Sequence, residues 1–129
     1  MIFKNLPKIT RIAGGANTLK SPEFMLNNYK VAAFLFENAA GNEVFVKITA
    51  NGENATEFVP FLIKNADKND YKNVAADGIS LTDGGAFIVA VTANMLAHKE
   101  FDRISLELVS QANIATVYAI QAQPRYDGE

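Results

Sequence analysis

The side chains able to do chemistry are few in this chain. It has one histidine, His98, and no cysteine. Without Cys there is no thiol nucleophile, no disulfide framework and no Cys-based zinc site. A lone imidazole cannot build a His-rich metal site within a single chain. His98 is followed by Lys99, Glu100 and Asp102, a spacing that matches neither a catalytic triad nor a metal motif. It reads as a surface or interface histidine. Glu37, Glu43, Asp77, Asp83, Glu100 and Asp102 form no paired motif of the kind that carboxylate-only hydrolysis requires. Asp67-Lys68-Asn69-Asp70 gathers oxygen ligands, but a calcium loop needs Gly at its sixth position and Glu at its twelfth. Those positions hold Lys72 and Gly78, so the segment reads as a solvated loop. Ala13-Gly14-Gly15 and Asp83-Gly84-Gly85 lack the longer glycine-rich loop feeding a helix that cradles phosphate, and both read as turns. The residue types therefore point away from an enzyme, and no catalytic residue, metal ligand or cofactor is expected.

The elements that would position any site are β. The chain has 129 residues, 49% hydrophobic and 20% charged, the size and composition of one globular domain with a true core. Residues 30–37 are rich in Val, Phe and Leu and end at the turn Asn38-Ala39-Ala40-Gly41-Asn42. Val44, Val46 and Ile48 then alternate along residues 44–50, so the two runs suit a hairpin. Residues 56–64 form a further strand with Pro60 inside it. A missing N–H there predicts an edge or a bulge. Residues 65–73 read as a polar loop and 79–82 as a short strand. In residues 86–92 both faces are apolar, the mark of a central strand. Residues 92–101 are the one helical candidate, with Thr92 as its cap. Ile104, Leu106 and Leu108 alternate with Ser105 and Glu107 in the next strand, and residues 115–123 form the last. About seven short strands between Asn/Gly turns predict an antiparallel β-sandwich or a jelly-roll-like fold, all-β with one short helix. Phe34, Phe36, Phe45, Phe58, Phe61 and Phe87 fall within these strands, where core packing is the default role of an aromatic ring.

The first 28 residues keep no steady period and carry Pro7, Gly14-Gly15, Ser21-Pro22 and Asn27-Asn28. Such punctuation favours extended backbone. Yet Ile2, Phe3, Leu6, Ile9, Ile12 and Leu19 are too apolar for a solvated tail. Residues 1–28 read as an extended N-terminal arm whose apolar groups cover a partner. A first strand packed on the chain's own sheet has equal claim. Residues 29–129 read as the sandwich domain. The start resembles no signal peptide, no run reaches the length of a membrane helix, and the net charge of −2 lacks a nucleic-acid footprint. Neither a membrane nor a nucleic acid is an expected partner.

The C-terminal part adds a resemblance. Phe101-Asp102-Arg103-Ile104-Ser105-Leu106-Glu107-Leu108 is followed by Ala119-Ile120-Gln121-Ala122-Gln123-Pro124-Arg125-Tyr126. This resembles the ending of structural proteins encoded among the head genes of tailed bacteriophages, in which a short helix leads to a strand, a turn and a last strand ending Pro-Arg-Tyr. The similarity spans residues 29–127, including the Phe34-Leu35-Phe36 to Val44-Phe45-Val46 segment. It departs from the family in strands richer in Ala and Phe. The resemblance implies a capsid decoration, or cement, protein: a non-enzymatic homo-oligomer, often a trimer, assembled in the host cytoplasm and seated on the major capsid protein at the virion surface. Ile2, Phe3, Leu6, Ile9, Ile12 and Leu19 of the arm, with Arg125 and Tyr126 beyond the last strand, are its expected partner interface. The rival expectation is a carbohydrate-binding or adhesin module of a phage tail or fibre, with an exposed row of Tyr, Phe, Asn and Asp on one face.

Overall fold

The computed structural model describes residues 7–26, 29–53, 55–96 and 101–124. The strands in chain order are β1 (Lys8–Ile12), β2 (Thr18–Lys20), β3 (Phe24–Met25), β4 (Tyr29–Asn38), β5 (Val44–Asn51), β6 (Thr56–Val59), β7 (Phe61–Asn65), β8 (Lys72–Val74), β9 (Ile79–Leu81), β10 (Gly85–Thr92), β11 (Arg103–Ser110) and β12 (Val117–Pro124). One helix, α1 (Ala93–Leu96), lies among the described residues. All the paired strands run antiparallel.

Two sheets face each other, as the alternation of the sequence predicts for an all-β sandwich. The first has the order β1-β12-β4-β10-β7-β8 and the second β2-β11-β5-β6, with β3 joining β11 and β9 joining β5. The core lies between them. Phe34, Phe61 and Val89 of the first sheet meet Val46, Ile48, Ile104, Leu106 and Leu108 of the second, all essentially inaccessible. Phe24 and Phe34 pack edge-on at 5.7 Å, and Phe36 stacks with Phe87 at 5.8 Å.

Four expectations change. The segments 30–37 and 44–50 are strands, but they do not pair as a hairpin. β4 pairs with β10 and β12, while β5 pairs with β6, β9 and β11. The Asn-rich connection crosses from one layer to the other, and a polar knot holds the corner. Asn38 Nδ2 donates to the carbonyls of Asn42 (2.8 Å) and Asp83 (3.0 Å), and Asn42 Nδ2 donates to Asn38 Oδ1 (2.9 Å) and Ser110 Oγ (2.8 Å). Residues 56–64 are two strands in different sheets, and Pro60 is the point of change. A residue without an N–H fits where the ladder of one sheet stops and that of the other begins. The polar loop 65–73 contains the start of β8. The described helix is one turn, with residues 97–100 outside the described set and Phe101 in no helix.

The expected arm also takes its second form. β1 pairs with β12 from Lys8↔Gln121 to Ile12↔Val117, and β2 and β3 pair with β11. Ser21 Oγ accepts from Leu106 N–H at 2.8 Å, and Gln121 Nε2 donates to the Met25 carbonyl at 2.7 Å. Residues 8–26 are thus woven into this chain's own two sheets, where the Gly and Pro punctuation serves as the turns between short edge strands.

Candidate interaction surfaces

Among the described residues, no group of three or more His, Cys, Asp or Glu side chains is placed to hold a metal ion. The carboxylates singled out in the sequence are dispersed. Glu43 accepts a hydrogen bond from Ser80 Oγ at 2.5 Å. Asp102 lies beside Arg103, whose guanidinium donates to Asp102 Oδ1 (3.1 Å), Glu23 Oε1 (2.9 Å) and the Gly52 carbonyl (3.1 Å). The hydrogen bond to Asp102, then the charge of Glu23, raises the Arg103 pKa above its ordinary value. This fork ties β11 to the linker before β3 and to the turn before β6. His98 and Glu100 lie outside the described residues. Asp67 to Asp70 are exposed in a turn, where Asp67 N–H donates to Asn65 Oδ1.

The expected interface residues divide. Ile12 and Leu19 are 7% and 6% exposed and belong to this chain's own core. Ile9 is 62% exposed on the outer side of β1. Ile2, Phe3, Leu6, Arg125 and Tyr126 lie outside the described residues.

At the corner between the two sheets a cleft of about 450 Å³ is lined by Phe36, Asn38, Asn42, Val44, Ser110 and Ile114, among others. Asn38, Asn42 and Ser110 are the knot described above, so the polar wall of this cleft is already hydrogen-bonded within the corner.

The two outer sheet faces differ in chemistry. On the second sheet, the outward row crossing β2, β11 and β5 reads Lys20, Glu107, Lys47, with opposite charges in register. Phe45 and Phe58, expected in the core, lie on this outer face, and the Lys47 ammonium sits over both rings, 4.2 Å from the centroid of Phe58 and 5.5 Å from that of Phe45. This face mixes charges in register with apolar groups, Val109 and Phe58 being 46% exposed, and Lys47 covers part of the rings.

The first sheet breaks that pattern. Inward positions of β4 are Ala32, Phe34 and Phe36, all buried, and outward positions are Val31, Ala33 and Leu35. Outward on β10 are Ala86, Ile88 and Ala90, and outward on β12 are Tyr118, Ile120 and Ala122. Among the described residues, charges on this face stand at the margins: Arg11 on β1, Lys64 on β7 and Glu37 at the end of β4. The double-sided apolarity of residues 86–92 does mark a central strand of its sheet. Among the described residues, no further layer covers its outer side. That signal was present in the sequence, but a strand apolar on both faces reads alike whether its second face meets its own chain or another.

With this geometry in hand, the comparisons with known proteins are sparse. No family model matches the chain, and no curated protein matches it. Among solved structures, that of the SPBc2 prophage-derived protein YomS superposes with a TM-score of 0.57 at 15% sequence identity, covering 92% of this chain and 96% of that one. The chain therefore has the fold of YomS.

Proposed function

We propose that this chain is a bacteriophage virion structural protein, a capsid decoration protein that binds the major capsid protein on the outside of a head and stabilises the shell. The observation that carries the reading is the fold shared along nearly the whole chain with a prophage-derived protein. The C-terminal resemblance to head structural proteins, ending Pro124-Arg125-Tyr126, narrows it. The physical character of the molecule supports it. A cement protein needs no reactive side chains. It needs a rigid body, little net charge, and surfaces and strand edges open to neighbours. The edge strands β1, β8, β2 and β6 and the apolar outer face of the first sheet offer both.

The carbohydrate reading gains no specific support. Tyr118, Tyr71 and Phe58 are exposed, but Tyr118 and Tyr71 flank opposite sides of the first sheet and Phe58 lies on the second. They form no common row.

The test is particle association. Virions purified from cells carrying the gene should contain this protein in stoichiometric copies, located on the head by immunogold labelling. Purified protein should rebind heads that lack it and raise the temperature at which they release DNA. Its absence from particles, together with failure to bind heads, overturns the proposal.

A further inference from the structure

We infer that the outer face of the first sheet is where two copies of this chain pack face to face. The inference stands apart from the virion reading, because pairing is measured on the free protein.

The strand register sets three rows of side chains across this face. One row is a ridge: Tyr118, Leu35 and Ile88 lie side by side on β12, β4 and β10. The next row along the strands holds Ile120, Ala33 and Ala90 on the same three strands. Two alanines there, Ala33 half-buried and Ala90 only 5% exposed, make a trough beside the ridge. Turn a second copy by half a turn about an axis lying in the interface, perpendicular to the strands and midway between these rows. Each ridge then lies over the other copy's trough: Leu35 meets Ala33, Ile88 meets Ala90, and Tyr118 meets Ile120. On β4 and β10 large groups face small ones, as interdigitated cores require, while Tyr118 and Ile120 meet as two large groups at the β12 side. The relief is its own complement, the condition for an isologous pair.

The marginal charges obey the same operation. Arg11 ends the ridge row on β1 and Lys64 ends it on β7, while Ile9 and Leu62 end the trough row. The half-turn brings Arg11 over Ile9 and Lys64 over Leu62, so no like charges oppose each other, and each long stem lies on an apolar group with its head at the rim.

The area is modest. β12, β4 and β10 give three outward positions each and β1 and β7 two each, which at strand spacings of about 4.8 Å present about 420 Å² per copy; roughly 850 Å² over two copies is the scale of a weak pair. A patch of that size is within the range of the largest apolar patch on a monomer, about 300–600 Å², which is often functional. Three copies around an axis would need two different complementary patches on each. This one face matches itself, so the expected unit is a pair rather than the trimer implied by the family resemblance.

Native mass spectrometry and sedimentation of the full chain, from micromolar to about millimolar concentration, test this. The wild type should have the mass of two chains. Leu35→Glu places a charge in the dry centre and should raise the dissociation constant about a hundredfold or more, the scale of an unpaired buried charge. Tyr118→Lys, at a position already 40% exposed, should weaken pairing without endangering the fold, as circular dichroism would verify. Phe58→Ser on the opposite sheet should leave the pair intact. A wild type with the mass of one chain or three overturns the inference. So does a pair that survives both Leu35→Glu and Tyr118→Lys, or that is lost equally in Phe58→Ser. If the free protein is a single chain and hydrogen exchange on this face slows only on heads, the face belongs to the shell and the inference fails while the proposed function stands.

Discussion

At the residue scale, a few polar groups decide where the layers part. Asn38 is 7% exposed and makes two donor bonds and one acceptor bond within the β4–β5 corner. Removing it takes the side-chain donor from the carbonyls of Asn42 and Asp83 and leaves the Asn42 amide with Ser110 Oγ alone. Asn38→Ala should therefore cost about 1 kcal/mol, the net worth of lost hydrogen bonds whose partners, the half-buried Asn42 and the exposed Asp83, water can still reach. Urea unfolding at fixed pH measures this as a lower midpoint with an unchanged slope. Gly78 is a second such position. Its φ is +92°, and a Cβ there would stand 2.5 Å from the Val46 carbonyl oxygen. Gly78→Ala meets both a left-handed backbone and a backbone clash, and it should destabilise by at least about 1 kcal/mol in the same measurement. Neither residue announces its importance in the sequence. An Asn in an Asn-rich turn and a Gly after Asp read as ordinary loop residues, because their partners lie far along the chain.

At the element scale, the strands themselves were legible and their partners were not. Alternation in residues 44–50 and 103–109 and the double apolar face of residues 86–92 mark β5, β11 and β10 directly. Pairing depends on distant segments. β4 and β5 are neighbours in sequence with a short polar connection, which is also what a hairpin looks like. The part-buried bonds of Asn38 and Asn42 hold the turn that carries the chain across the sandwich. The N-terminal strands were illegible for another reason. β1, β2 and β3 are five, three and two residues long, too short for a period to show. The same shortness hid the start of β8. Residues 8–26 could read as an arm seeking a neighbour or as strands of their own sheet, and the structure places Ile12 and Leu19 in the chain's own core. This has a measurable consequence. Ile12→Ala should cost about 2–4 kcal/mol, as for other large-to-small core changes, in conditions where the protein is a single chain. An arm docked on a neighbour would show that loss only where copies associate. Urea unfolding of Ile12→Ala in the Leu35→Glu background separates the two cases, since that background removes the proposed pairing.

At the scale of the whole molecule, the fold closes on itself from its ends. β12 lies between β1 and β4, so the last strand completes the first sheet only when the N-terminal strand and the middle of the chain are both in place. The second sheet is built the same way, with β11 holding β2, β3 and β5 together. Neither sheet can form from one contiguous stretch of chain. Each also supplies half of the core, so neither has a dry face without the other. Two consequences follow for residues 1–28 and 29–129 considered as separate units. The described N-terminal strands share both sheets with the rest, so urea should unfold the chain in one transition, with intrinsic fluorescence of tyrosine and far-ultraviolet circular dichroism coincident. Closing loops of this length before their contacts form is slow, and all-β chains dominated by distant pairings refold in milliseconds to seconds rather than microseconds. Stopped-flow refolding of Leu35→Glu, chosen so that pairing does not contribute a second-order phase, should show a main phase in that range. It should be independent of protein concentration. Ile12 and Val117 meet where the first and last strands pair. If that closure belongs to the rate-limiting step, Ile12→Ala slows refolding in proportion to its loss of stability; if the end strands zip up afterwards, the same substitution speeds unfolding and leaves refolding unchanged. The topology favours the second outcome. β4, β10 and β7 can assemble against β5 and β6 with shorter loops, and β1 can add last as an edge.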